Sequence, residues 1–226
     1  MLELYKDGQP IFYNMVNNAI KNNATDVKIL INVFFIIFLS LHFLLLMKTE
    51  TTVMKSKALF SDDGEHRLLL RREWDKNSKC AMIIMINPNT ADTLCMDMTT
   101  MLVLNNLHKL GFGSVNIVNL YSRITPKLSL RFNSDDDLIA KGCDEMIEEY
   151  AVTSDAIIIA WGSLGNTSER VRERQADILE RLSKFRNKLY KIGEQGYHPL
   201  TPAVRNGWEL VPYEIEEVNH AESNES

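Results

Sequence analysis

The stretch Ala81-Met-Ile-Ile-Met-Ile-Asn-Pro-Asn-Thr-Ala-Asp92 decides the fold class of this 226-residue chain. Its apolar part, Ala81 to Ile86, predicts a strand that is buried on both faces. Pro88 cannot donate a hydrogen bond to a sheet, so the strand ends there and a polar loop follows. Open α/β folds place their ligand sites in the loops after the carboxyl ends of parallel strands. The stretch therefore predicts a functional loop from Asn87 to Asp92.

Hydrophobic periodicity predicts alternating strands and helices on both sides of this stretch. The predicted strands are Leu68–Trp74, Cys80–Ile86, Ser114–Leu120, Ala156–Ala160 and Lys188–Ile192, and the predicted helices are Met98–Leu110, Ser134–Tyr150 and Thr167–Phe185. The charges in the first strand indicate a sheet edge. This alternation predicts a three-layer α/β/α sandwich with a mostly parallel central sheet, preceded by a hydrophobic helix.

Charge and cysteine content exclude some classes of function. The chain has 25 Lys and Arg against 30 Asp and Glu, a net charge of -5. Residues 1–52 contain four positive and four negative charges, and the segment from residue 214 on contains five Glu. Residues 53–213 therefore contain 21 positive and 21 negative charges. Strong non-specific DNA binding needs a larger basic excess. The three cysteines have neither CxxC nor metal-ligand spacing, so we expect core thiols, no metal and no cofactor.

The N-terminal extension, residues 1–52, contains an uncharged run of 19 residues, Ile29 to Met47. As a helix it spans roughly 28 Å, near the thickness of a bilayer core. It predicts a single-pass transmembrane helix, and lysines after the run favour a cytoplasmic C-terminal domain, residues 53–213. Alternatives are translation from Met47 or Met54, which gives a cytoplasmic protein, or a buried helix. Residues 214–226 are acidic and predict a disordered tail.

Three titratable residues are the catalytic candidates. Asp92 ends the polar loop and could activate water or stabilise positive charge, although a carboxylate there also forms turns. Asp97 precedes a predicted helix, so it is either an N-cap or a second acid. His198 follows the last predicted strand, and a parallel sheet puts it at the same edge as Asp92. There it could act as an acid or base, or donate a hydrogen bond to a leaving group.

Other polar and aromatic residues are ligand-binding candidates, each with a structural alternative. Asn87 shapes the loop or binds a ligand edge, and Asn119 at the end of a buried strand could bind a base-like amide. Gly162 and Gly165 lie between a strand and a helix, where backbone amides can receive a phosphate. The ring of Trp161 could stack on a base or fill the end of the sheet. The remaining candidates could each contact an anion: Thr99, Arg123 and Arg170.

Five short motifs occur in order, within a resemblance to a known family that runs from about Lys57 to Tyr213. They are Asn87-Pro-x-Thr-Ala-Asp92, Asp97-x-Thr99, Val118-Asn119-Leu120, Ala160-Trp161-Gly162 and His198-Pro199-Leu200. In content and order they resemble the domain-of-unknown-function family 1643. The resemblance implies a shared fold and no particular reaction.

The order of features is also similar to that of the uracil-DNA glycosylase fold. In that fold a motif with a catalytic acid follows the first core strand, and a loop with His-Pro follows the last. Asn87-Pro88 with Asp92 and His198-Pro199 stand in those places here, and Asn119 resembles the residue that holds the base. Leu200 stands where serine is usual. The similarity is one of fold, which does not by itself assign a function.

These observations lead to one functional hypothesis and two alternatives. The first is a glycosylase-like enzyme acting on a nucleobase, nucleoside or nucleotide, whether a small molecule or part of a nucleic acid. The second is a non-catalytic module that binds a nucleotide or nucleic acid. Residues 29–47 could tether such a module to a membrane. The third is a structural membrane-linked protein without a pocket at the sheet edge. The sequence does not determine the oligomeric state.

Overall fold

The computed structural model describes residues 5–6, 9–10, 18, 21, 24–45, 48–126, 128–162 and 168–215. The chain divides into two compact units, Met1–Thr51 and Thr52–Ser226. The predictions for residues 46–47, Gly165, the start of the helix at Thr167 and the tail from residue 216 lie outside the described residues.

The first unit contains a short antiparallel pair and one helix. Strand β1 (Tyr5–Lys6) pairs with β2 (Gln9–Pro10), and helix α1 covers Ala24–Leu45. No helix among the described residues is both long and apolar enough to cross a membrane. The predicted transmembrane helix at residues 29–47 and the predicted single-pass membrane location are therefore wrong. Asn32, Ser40 and His42 interrupt the apolar side chains of α1, and each polar group weakens the transfer of a helix into lipid.

The second unit is built on a seven-stranded sheet. Its strands are β3 (Lys55–Phe60), β4 (Arg67–Glu73), β5 (Lys79–Met85), β6 (Phe112–Asn119), β7 (Ala156–Ile159), β8 (Leu189–Ile192) and β9 (Leu210–Pro212). Their order in the sheet is β3-β4-β6-β5-β7-β8-β9. The pairings β6–β5, β5–β7 and β7–β8 are parallel, whereas β3–β4, β4–β6 and β8–β9 are antiparallel.

The α/β class is confirmed, but the sheet is mixed rather than mostly parallel. The four strands of the apolar runs are neighbours and parallel, because helices connect them. The strands outside this group are antiparallel to their neighbours. The turn between β3 and β4 spans only residues 61–66, which is too short for the crossover that a parallel pair needs.

The strand that begins near Arg67 is not at an edge, which corrects the prediction from its charges. β4 lies between β3 and β6, and its two neighbouring arginines both have partners. Arg71 donates to Asn116 Oδ1 at 2.9 Å and to Glu73 Oε2 at 2.7 Å. Arg72 donates to backbone carbonyls of the loop after β5. Hydrogen bonding thus compensates the charges inside the sheet.

Helices cover both faces of the sheet. They are α2 (Met98–Lys109), α3 (Asp135–Leu138), α4 (Cys143–Thr153) and α5 (Glu169–Arg181), and short 3-10 segments cover Ser183–Lys188 and Pro202–Val204. Alternate residues of β5 enter different cores. Met82 and Ile84 pack with residues of α4 and α5, whereas Ala81 and Ile83 pack with residues of α2.

The predicted helix from Ser134 to Tyr150 is interrupted. Ser134 and Asp137 form a capping box that opens α3, as their spacing predicts. The chain then leaves the helix and starts α4 after Gly142, which has a φ of 84°. Glycine adopts this left-handed conformation without steric cost, so Gly142 marks the junction.

We expect Gly113→Ala to destabilise the fold by about 1–3 kcal/mol through overpacking. An added Cβ would meet the Asp75 carbonyl and would lie 2.7 Å from Ser78 Cβ. Gly207→Ala is the matched control, because nothing lies within 4 Å of the added Cβ there. Urea unfolding measures the free energy of unfolding of both variants. Equal values would show that the turn at residues 75–78 moves to accommodate the added methyl group without cost.

Candidate functional site

The strand order creates a crevice at the carboxyl ends of the parallel strands. From β5 the chain passes through α2 to β6 on one side of β5, and from β7 it passes through α5 to β8 on the other side of β5. The loops after β5 and β7 therefore leave in opposite directions. Such a switch point is where open α/β sheets bind ligands. The loop that starts at Asn87 and the loop that starts at Trp161 flank it.

Asn87 shapes the first of these loops. Its Nδ2 donates to the Thr125 carbonyl at 2.7 Å and to the Pro88 carbonyl at 3.2 Å. The Thr125 amide donates in return to the Pro88 carbonyl at 3.2 Å. These hydrogen bonds join the segment after β6 to the start of the loop after β5.

Asp92 forms a turn with its own loop. Its Oδ1 accepts the amide hydrogens of Leu94 and Cys95, each at 2.7 Å. These two bonds hold the pKa of Asp92 below its ordinary value, and the Arg72 charge adds to the effect. Among the described residues, Asp92 Oδ2 accepts no hydrogen bond. Asp92 is therefore a fixed carboxylate, suited to stabilising positive charge rather than to donating a proton.

Two buried arginines donate hydrogen bonds to the backbone of this loop, and neither was among the predicted site residues. Arg67 is 3% exposed and donates to the Ala91 carbonyl at 2.5 Å. Arg72 is 1% exposed and donates to the carbonyls of Thr93 at 2.9 Å and Asp92 at 2.5 Å. Burial lowers the pKa of Arg67 to about 10, although the Asp97 carboxylate opposes this. The signal for them was present, since arginine inside an apolar strand requires a buried partner.

Asp97, at the start of α2, lies near enough to His198 for its carboxylate charge to act on the histidine. Asp97 is the N-cap, and its Oδ1 accepts the Thr100 amide at 2.7 Å. Burial lowers the pKa of His198, and the nearby Asp97 carboxylate partly opposes that shift. His198 Nδ1 accepts the Leu200 amide hydrogen at 3.1 Å. In the neutral ring the proton is therefore on Nε2, which can donate to a ligand.

Gly162 lies against His198. It has a φ of 65°, and an added Cβ would stand 2.8 Å from His198 Cβ and 3.1 Å from its backbone nitrogen. The loop after β7 thus touches the loop after β8. His198 thus contacts Gly162 and lies within electrostatic range of Asp97, and the three residues belong to three different loops.

Asn119 ends β6 beside β5, where its Cα pairs with that of Met85. It is 2% exposed, and neither Oδ1 nor Nδ2 has a hydrogen-bond partner among the described residues. Side chains alternate along a strand, so Asn119 faces the same side as Ile117, which belongs to the core under α2. A buried amide without partners is costly unless a bound group satisfies it.

Other predicted binding residues have structural contacts. Trp161 is 7% exposed and packs in the core with α4 and α5, on the face opposite to Asn119. Arg123 forms an ion pair with Glu65 at 2.8 Å. Arg170 forms an ion pair with Asp135 at 2.5 Å. It also donates hydrogen bonds to the carbonyls of Leu130 and Asn133, in the loop before α3. Thr99 is half-buried in the first turn of α2. Within the described ranges, no three His, Cys, Asp or Glu residues form a group that could hold a metal.

We expect the lowered pKa of His198 to produce a pH-dependent stability. The unfolded chain takes up a proton on this histidine at a higher pH than the folded chain does. Stability should therefore be full above about pH 6.5, fall as the pH decreases, and level off below the folded pKa. Urea unfolding between pH 4.5 and 8 should show a shallower loss in His198→Gln. Identical curves for the variant and the wild type would contradict the expectation.

A family model described as Protein of unknown function (DUF1643) matches residues 67–200. The match includes β4 to β8 and every residue of the crevice described above. No curated protein matches the chain.

Proposed function

The chain belongs to the DUF1643 family of proteins of unknown function, and from the geometry of its site we propose that it acts on a nucleobase, nucleoside or nucleotide in the manner of a glycosylase. Asn119 carries the proposal. Its buried amide offers one donor and one acceptor side by side, and neither has a partner among the described residues. The edge of a nucleobase presents the complementary pair. The similarity in feature order to the uracil-DNA glycosylase fold supports the same assignment.

The polar residues of the loops at the same edge of the sheet suit cleavage of a glycosidic bond. A water oxygen bonds to the anomeric carbon of the sugar, the C–N bond breaks with its electron pair on the base, and the proton of water passes to the base. His198 Nε2–H would donate to the departing base as negative charge develops. Asp97, close to His198, would stabilise the positive charge on the sugar. Asp92, a carboxylate held by backbone amides, would add to that stabilisation.

A non-catalytic binding module is the second candidate, and one observation favours it. Asp92 Oδ1 and Asp97 Oδ1 both accept backbone amide hydrogens, the roles of a turn and of a helix cap. If these are the only roles of the two carboxylates, the crevice binds a ligand through Asn119 and His198 but does not catalyse a reaction.

One experiment separates the two candidates. A thermal-shift screen of nucleobases, nucleosides, nucleotides and short single-stranded oligonucleotides identifies a ligand, and chromatography detects release of free base. Asp97→Asn keeps a side-chain oxygen for the helix cap but removes the charge, so folding should be preserved. We expect this variant to bind the ligand and to release base at least tenfold more slowly. Tight binding with no base release by the wild type would favour the binding module, and no ligand in any class would contradict both.

A further inference from the structure

Arg72 and Asp92 are connected through a single peptide group. Arg72 Nη1 donates to the Thr93 carbonyl at 2.9 Å. The amide of the same peptide unit, that of Leu94, donates to Asp92 Oδ1 at 2.7 Å. The cation thus polarises the peptide whose N–H holds the carboxylate. Hydrogen bonds in such a chain strengthen one another, and more so where water is excluded.

The other bonds of Arg72 fix the same turn. Nη2 donates to the Asp92 carbonyl at 2.5 Å and makes a longer contact with the Cys95 carbonyl at 3.5 Å. The Cys95 amide supplies the second hydrogen bond to Asp92 Oδ1. One guanidinium therefore contacts three carbonyls of a four-residue turn. Because Arg72 is almost fully buried, water competes little for these bonds.

We propose that Arg72 is the positioning residue for Asp92 and acts through the Thr93–Leu94 peptide and the adjoining carbonyls. It holds Oδ1 inward on the backbone amides and leaves Oδ2 as the oxygen that can meet a ligand. Lysine cannot replace it, because a single ammonium lacks the planar arrangement of donors that reaches three carbonyls. This inference rests on the proposed function, in which Asp92 is one of the carboxylates of the site.

Arg72→Lys and Arg72→Met test the proposal, with Arg71→Met as the matched control. Arg71 is the next residue of β4, and its partners are Glu73, Asn116 and Cys80 rather than the loop. NMR gives two local readouts, the amide exchange rates of Leu94 and Cys95 and the carboxyl titration of Asp92. Urea unfolding gives the global stability of each variant.

We expect both Arg72 variants to speed amide exchange at Leu94 and Cys95 by about tenfold or more, the size of effect for losing a hydrogen bond to a charged group. Asp92 should titrate at a higher pH in Arg72→Met. Arg71→Met should leave both local readouts at their wild-type values. Wild-type exchange rates in Arg72→Lys would overturn the proposal, and this variant is sufficient if Arg72→Met does not fold.

Ligand binding separates this proposal from the proposed function. The ligand found in the nucleoside and nucleotide screen is titrated against wild type, Asp92→Asn and Arg72→Lys. Weaker binding in both variants supports the two proposals together. Weaker binding in Asp92→Asn alone overturns the positioning role and keeps the function. Unchanged binding and base release in Asp92→Asn, with fast exchange in Arg72→Lys, removes Asp92 from the function and keeps the role of Arg72 in the turn.

Discussion

His198→Asn is expected to lower the rate of base release by roughly 10²–10³-fold, the usual effect of removing a donor to a developing negative charge. The reason is the geometry of the ring. Nδ1 accepts the Leu200 amide hydrogen, so Nε2 carries the proton and is the donor. Asparagine can keep an acceptor near the position of Nδ1 but has no group at the position of Nε2.

His198→Gln is the matched variant for this prediction. The longer glutamine side chain can place an amide donor near the position of Nε2, so it should retain more activity than asparagine does. Steady-state rates of base release, with ligand affinity measured separately, make the comparison. Equal rates for wild type and His198→Asn would mean that His198 only shapes the loop.

Asn119→Leu is expected to make the protein more stable and to abolish ligand binding. The buried amide of Asn119 has two atoms without partners among the described residues, and an apolar residue of similar volume removes that penalty. We expect a gain of about 1–3 kcal/mol in the free energy of unfolding. The loss of a matched donor and acceptor should weaken binding by at least about 100-fold, since a site built for hydrogen bonds rejects an unpaired partner strongly.

Asn116→Leu is the control in the same strand. Asn116 is as buried as Asn119, but it accepts a hydrogen bond from Arg71 and makes longer contacts with Cys80 and Ser154. Its replacement should destabilise the fold because Arg71 loses a partner. If Asn119→Leu is destabilising to the same degree, the Asn119 amide is satisfied within the protein and is not reserved for a ligand.

The apolar runs predicted the centre of the sheet because burial on both faces leaves little room for polar residues. Ala81–Ile86 and Ala156–Ala160 contain no polar residue, and both correspond to inner parallel strands. Strand β3, Lys55-Ser-Lys-Ala-Leu-Phe60, was not predicted. It lies at the sheet edge, where one side is open and charged side chains are tolerated.

The same reasoning failed for β4 because charge was taken as a sign of exposure. Arg72 is buried, since carbonyls of a loop about twenty residues later in the sequence accept hydrogen bonds from its Nη1 and Nη2. The local pattern indicates that such an arginine needs a buried partner, but it does not identify this distant loop as the partner. For α1, a high apolar content predicted a membrane span, but the described helix does not meet the combined requirement of length and apolarity.

The candidate site was partly accessible from sequence. The position of loops at the carboxyl ends of parallel strands predicted one cleft shared by Asp92, Asp97, Asn119, Trp161 and His198, with Gly162 in its wall. Among these residues, His198 contacts Gly162 and lies near enough to Asp97 to be affected by its charge. The same rule could not assign faces of the sheet, and Trp161 packs on the side opposite to Asn119. It also could not show that Arg123 and Arg170 form ion pairs with acidic residues.

The most direct test of the account is a map of ligand contacts by NMR. Isotopically labelled protein of the full chain is titrated with a nucleobase, a nucleoside and a nucleotide, and amide shifts are followed residue by residue. We expect saturable shifts at residues 87–97, Asn119, Gly162 and His198, and we expect these shifts to disappear in Asn119→Leu. Shifts confined to other surfaces, or none with any of the three ligands at millimolar concentration, would contradict the claim that this crevice binds a base.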